Sequence, residues 1–186
     1  MSERSAQAHA TPDEIIKFWS DAGPAAWFAT NDEFDLRFRE GFLADHLAAA
    51  RRERDPWLDT SEGALALLLL LAQFPRNSFR GTAHMFATDP LALFYTEQAL
   101  AFGHDLGVAP LLRPFMYLPL EHAEDLDAQV RCVALCQPLG GETLRFAELH
   151  HDIIARFGRF PHRNPSLGRP TRPEEQRFLG AGGFSG

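Results

Sequence analysis

The stretch Arg156-Phe-Gly-Arg-Phe-Pro-His-Arg-Asn-Pro-Ser-Leu-Gly-Arg169 gathers four arginines, a histidine and an asparagine, with two glycines and two prolines to shape the path. A planar guanidinium grips a carboxylate or phosphate through two parallel hydrogen bonds, which lysine cannot do. The chemistry on offer is therefore recognition of a small anion. From Arg156 onward the local balance is +4 in a chain of net −7, which leaves −11 for the remainder. A positive loop on an acidic body attracts a small anion or an acidic side chain and repels extended nucleic acid.

A second polar loop, Gln73-Phe-Pro-Arg-Asn-Ser-Phe-Arg-Gly-Thr82, brings out Arg76, Asn77 and Arg80 together. The two loops echo one another, Phe74-Pro-Arg-Asn77 against Phe160-Pro-His-Arg-Asn164. The expectation is one cavity where Arg76, Asn77, Arg80, Arg159, Arg163, Asn164 and Arg169 meet His122, His150 and His162, holding a phosphate ester or carboxylate. A structural role competes with it. Arg156 and Arg159 follow a helix whose free carbonyls and dipole favour cations, and a long loop needs donors to staple it. For Arg156 the structural reading is preferred, and Arg163 and Arg169 fit both.

Catalytic patterns are incomplete. His122 followed by His151-Asp152 imitates the metal site of helical phosphohydrolases, but no aspartate follows Asp152. Glu148-Leu-His-His151 matches one half of a di-metal carboxylate site, and the second half is missing. Glu121, His122 and His150 could supply a mononuclear site. Ser78 and Ser166 lack a nucleophile-elbow context, and Cys132 and Cys136 sit in no positive surrounding. No Walker motif is present. No cofactor or metal is assigned. A metal- or histidine-dependent hydrolase stands as the alternative to a binding module, a protein-interaction scaffold as the second, and a protein partner stays open.

The elements that must carry these loops are helical. Thr11-Pro-Asp-Glu14 is a capping box opening a helix that Gly23-Pro24 ends. Phe34, Phe38, Phe42 and Leu43 repeat at helical spacing from about Asn31 to Arg54. Asp59-Thr-Ser-Glu62 caps the most apolar segment, Gly63 to about Phe74, read as a buried central helix that Pro75 stops. Further helices are expected after Thr88-Asp-Pro90, in proline-broken form over 109–120, from Glu121 to about Gln137, over 142–157, and after Thr171. His46 is read as solvated and given no role. No alternating strand pattern survives, so the fold class is all-α, an antiparallel array of about seven helices.

With 45% hydrophobic and 23% charged residues, the chain suits one soluble domain with a real core. The basic residues are Lys17 and seventeen arginines, and phenylalanines number sixteen against two tyrosines. A disordered leader over 1–10, a domain over 11–180 and a flexible tail over 181–186 are expected. The run Ala64–Ala72 is about half of the roughly 20 residues a membrane span needs, and no signal peptide is visible. A cytoplasmic protein with no membrane contact is expected.

Phe18-Trp19, Trp27-Phe28, Gln73–Asn77 with Arg80-Gly-Thr82, Leu118-Pro-Leu-Glu-His122 with Glu124, His150, and Phe157–Asn164 with Leu167-Gly-Arg169 stand together in a known order. On these residues the chain resembles the bacterial family called domain of unknown function 924, over roughly residues 12 to 180. The family pattern has Asp where this chain has Ala72, and Ser where it has Pro170. His151 stands where the family often has another polar residue. The resemblance implies a tetratricopeptide-like helical fold and no established activity.

Overall fold

The computed structural model describes residues 9–185, and the regular structure among them is all helical. The main rods are Pro12–Ala22, Asp32–Ala50, Ser61–Leu68 continued as far as Ser78, Asp89–Ala101, Pro114–Glu121, Leu126–Cys136, Gly141–Phe157 and Pro173–Gly180, with short helical turns between them. The number is slightly above the expected seven. The class is the expected one.

Caps decide where rods start. Thr11 and Glu14 exchange the two bonds of a capping box, Asn31 accepts from Phe34 N at 3.0 Å, and Thr60 from Gly63 N at 3.0 Å. Each satisfies amide donors the first turn leaves free. The first two rods bury an aromatic sheath. Trp19 is fully buried, its ring edge-on to Phe115 at 5.3 Å, and its carbonyl accepts Trp27 Nε1–H at 2.7 Å. Removing such a ring costs ~3–5 kcal/mol.

The central rod is buried along its whole length from Gly63 to Gln73. Pro75 does not stop it, contrary to the sequence expectation. A π-helical turn over Leu69–Gln73 inserts an extra residue, with Phe74 N–H donating to Leu69 O, and the helix resumes over Phe74–Ser78. A proline has no N–H to give the preceding turn, so carbonyls around the π-turn need other donors. They have them: Leu70 O takes His46 Nδ1–H at 2.9 Å, Leu71 O takes Thr88 Oγ1–H at 2.6 Å, and Ala72 O takes Arg76 Nη1–H at 2.8 Å.

His46 is therefore corrected. It is fully buried, stacked on Phe74 at 4.8 Å, with its Nε2 3.2 Å from His84 Nε2. Burial holds its pKa below the usual value. The helix that carries it stops at Ala50, because Arg52 turns to φ 65 and a 3-10 turn follows over Asp55–Asp59.

Residues 1–8 of the expected leader and Gly186 of the expected tail lie outside the described residues. His9 and Ala10 are anchored, for Asp45 pairs with His9 Nδ1 at 2.9 Å and accepts Ala10 N–H at 3.2 Å. In the tail, Gly183 N–H donates to Phe178 O at 3.0 Å and Phe184 packs inward. Cys132 and Cys136 lie on one buried face with sulfurs 3.9 Å apart, as free thiols.

Candidate functional site

The two arginine loops meet at Asp89. The π-turn lets the central rod run one turn further, and Arg76 leaves that last turn to clamp Asp89 through Nη1 and Nη2 at 2.8 and 3.0 Å. From the other loop, the 3-10 turn Pro161–Arg163 swings Arg163 towards the same carboxylate, its Nη1 3.4 Å away. Both guanidinium groups cover the ring of Phe86, at 5.7 and 4.7 Å, and Arg163 also covers Phe160 at 4.3 Å.

Arg163 is the unusual member. It is 6% exposed, and among the described residues its side chain makes that one long hydrogen bond and its Nε has no partner. Burial, and then the neighbouring Arg76 charge, pull its pKa down to about 10. A buried donor without a partner forfeits its hydration for nothing. Two more buried nitrogens without a partner among the described residues lie nearby, Nδ1 of His122 and Nδ1 of His162.

The histidines share one electrostatic environment. Burial lowers His122 well below the usual range, lowers His150 to about 4 and His162 to about 3, and the positive arginines push the same way. All three are neutral at neutral pH. His150 Nδ1 donates to Phe146 O at 2.8 Å, because a carbonyl can only accept. That fixes its tautomer and leaves a lone pair on Nε2.

Glu121 completes the group. Sequence reasoning placed it in a first helical turn, where an acid is welcome. It is instead the last residue of Pro114–Glu121, and the next helix begins at Leu126 with Asp125 as its cap. At a helix end the dipole opposes a carboxylate, and burial raises its pKa to about 7 despite Arg76. Its Oε1 lies 3.3 Å from His150 Nδ1, a proton already committed to Phe146, and no described group hydrogen-bonds to the carboxyl. The ring of Phe184 closes the edge of this cluster, 4.7 Å from His150 and 5.2 Å from His162.

The remaining candidates are placed elsewhere. Arg80 and Asn77 both hold Asp35, at 2.6 and 2.7 Å. Arg159 pairs with Glu175 at 2.6 and 2.8 Å and also donates to Pro170 O, while Asn164 donates to Glu175 at 3.1 Å. Arg169 clamps Glu124 at 2.5 and 2.9 Å and reaches Asn164 and Phe160 O. Arg156 lies over the Phe157 ring at 4.6 Å, in keeping with a structural role. So Arg76, Arg163, His122, His150 and His162 come together, Arg169 borders them with its N–H groups tied to Glu124, Asn164 and Phe160 O, and Asn77, Arg80, Arg159 and Asn164 are held by other carboxylates. The carboxylates that sort them, Asp35, Asp89, Glu124 and Glu175, were missed. Each is distant in sequence or reads locally as a helix-start acid, so only the fold reveals its partner.

Glu148, His151 and Asp152 line a shallow depression of about 340 Å3 with Val130 and Val133, and His122 is not among its lining residues. Among the described residues no group of three or more histidine, cysteine or acidic side chains is arranged to hold a metal.

A family model described as bacterial protein of unknown function (DUF924) matches residues 15–183. The chain is also similar to a solved structure of a protein of unknown function from Agrobacterium tumefaciens, at 56% identity and TM-score 0.89, over 90% of this chain and 96% of that one. No curated protein matches the chain significantly.

Proposed function

The chain belongs to the bacterial DUF924 family, and we propose that it binds a small anion, a phosphate ester or carboxylate, between its two arginine loops. One observation carries the reading: a buried arginine, Arg163, shares a single aspartate with Arg76 and keeps an unpartnered Nε among neutral histidines. Two guanidinium charges against Asp89 leave an excess positive charge in a largely buried place, with Arg163 the deepest member, which an anion neutralises. Of the ten residues first expected to bind, this reading retains the five that cluster and treats the rest as staples. It takes residues 11–180 as one domain in a tetratricopeptide-like array, working in the cytoplasm. A large hydrophobic cluster extends from Ile15 to Ala147, and a smaller one of Ile153, Ile154, Phe157 and Phe160 carries the later loop; no described helix is long and apolar enough to cross a membrane.

A histidine-dependent hydrolase is the second reading, favoured by the anchored tautomer of His150, whose Nε2 is left free to act as a base.

Thermal unfolding against phosphate, short carboxylates, nucleotides, divalent metals and a chelator tests the first reading. A ligand at a hundred times its dissociation constant adds about 2.7 kcal/mol, or roughly 5–10 °C for a chain this size. An anion-specific rise that disappears in Arg163→Met supports it. No rise with any anion rejects it, and destabilisation by chelator alone transfers support to a metal-dependent enzyme.

A further inference from the structure

The site as described contains more than anion donors. Arg76, at the end of the central rod, and Arg163, in the 161–163 turn, supply N–H groups around Asp89, which heads the next rod. His162 shares that turn, His150 comes from Gly141–Phe157, and Glu121 and His122 come from the end of Pro114–Glu121. Among these, Glu121 is out of place in a site that only grips negative charge. The residue is buried, its carboxyl has no hydrogen-bond partner among the described residues, and Oε1 lies 3.3 Å from Nδ1 of His150.

We propose that Glu121 selects an oxyanion that carries a proton, so that the site takes inorganic phosphate, or a singly protonated phosphate ester, and rejects sulfate. This deepens the anion-binding reading and rests on it. The physical reason is the balance of donors and acceptors. Sulfate presents only acceptors at any pH the protein survives. Arg163 Nε–H satisfies one of them, but an ionised Glu121 repels the rest. Inorganic phosphate keeps a P–OH through neutral pH. That hydroxyl donates to the Glu121 carboxylate while the charged oxygens accept from Arg163. Whichever oxygen holds the proton, one O–H···O bond joins ligand and protein.

Glu121 has a pKa raised to about 7 by burial, so the two anions diverge above neutrality. Sulfate must bind together with a proton on Glu121, and its affinity falls about tenfold per pH unit there. Phosphate brings its own proton and escapes that fall.

The experiment is titration calorimetry of the full chain with sodium phosphate and sodium sulfate at pH 6 and pH 8.5, in two buffers of different ionisation heat. At pH 8.5 phosphate is expected to bind about 10–100-fold more tightly than sulfate, the worth of one hydrogen bond to a charged group. Sulfate binding takes up a proton from the buffer and phosphate binding does not. In Glu121→Gln the amide N–H₂ donates to either anion, so the ratio falls to about threefold and proton uptake ends. If that variant does not fold, the wild-type proton count decides alone. Equal affinities at pH 8.5 overturn the selection while leaving the anion site intact. Binding of neither anion at either pH overturns the anion site itself.

Discussion

Arg163 and Arg169 leave the same loop, yet their surroundings are opposite. Arg169 spends its N–H groups on the Glu124 carboxylate, the Asn164 side chain and the Phe160 carbonyl. Glu124 in return also holds the Phe160 amide; burial alone would raise its pKa, but the Arg169 pair and that amide outweigh it and keep it low. Arg163, more deeply buried, has one long bond and two aromatic rings. A saturated arginine explains itself as a staple. An unsaturated buried one is retained at a cost to stability, which is how binding residues behave.

The saturated set should carry the larger stability effects. Glu175 is fully buried and accepts from Arg159, Asn164 and the Arg172 amide. Glu175→Ala strands those donors, and its melting temperature is expected to fall by roughly 6–12 °C. The Arg159 bonds hold the Glu175 pKa at about 2, down from 4.5. A lowered acid stabilises fully above its unfolded value and loses that contribution as pH falls towards the folded one. Wild type should therefore lose stability between about pH 4.5 and 2, and Glu175→Gln should lose less over that window. Melting curves of both chains across that range decide it; parallel pH profiles would remove the staple from the comparison.

Arg163→Met is the opposite case. Its side chain keeps the contact with Phe86 and Phe160 and discards the buried charge, so the melting temperature without ligand is expected to stay level or rise by about 2–4 °C. Arg169→Met, by contrast, should lower it. A fall in Arg163→Met as large as that in Arg169→Met would make both arginines staples and erase the distinction.

These distinctions were only half legible in the sequence. The helical periods around Phe34, Phe38 and Phe42 and the capping box at Thr11 place rods because they are local signals. The two loops are visible as runs of arginine, but a guanidinium looks the same whether a carboxylate awaits it or not. Asp35 lies forty-five residues from Arg80, and Glu124 an equal distance from Arg169. Pro75 read as a stop because a π-turn leaves no composition signal. It forms where His46 and Thr88 arrive from other elements, and Arg76 folds back from the following turn, to satisfy the carbonyls. His46 itself read as solvated because its alanine neighbours say nothing of Phe74 stacked on it.

Glu121 sharpens the comparison from the acid side. Its folded pKa of about 7 lies above the usual 4.5. A raised acid stabilises fully below its unfolded value, and that contribution is lost as pH rises through the folded one. Glu121→Gln removes the charged form, so relative to wild type it should gain about 2–3 kcal/mol above pH 7.5 and nothing near pH 4.5. Glu124→Gln should be destabilised at pH 7.5, having lost its arginine clamp. Denaturant melts at both pH values measure this, and a Glu121→Gln chain no more stable at pH 8 than at pH 4.5, relative to wild type, would return Glu121 to the ordinary ionised carboxylates.

The smallest effect concerns the way in. Phe184 lies edge-on to His150 and His162 on a tail whose neighbours Gly182 and Ser185 are exposed. Its half-buried ring adds little to the fold, and Phe184→Ala should cost no more than about 1 kcal/mol. For a ligand entering beside those histidines, the ring is an obstacle in both directions. Stopped-flow binding of phosphate to Phe184→Ala should show association and dissociation both faster by about 3–10-fold, with the dissociation constant changed by less than about twofold, as expected when a gate rather than a contact is removed. A change confined to the dissociation rate would make the ring a contact of the bound anion instead, and unchanged rates would move the entrance to the Asp89 side of the loops.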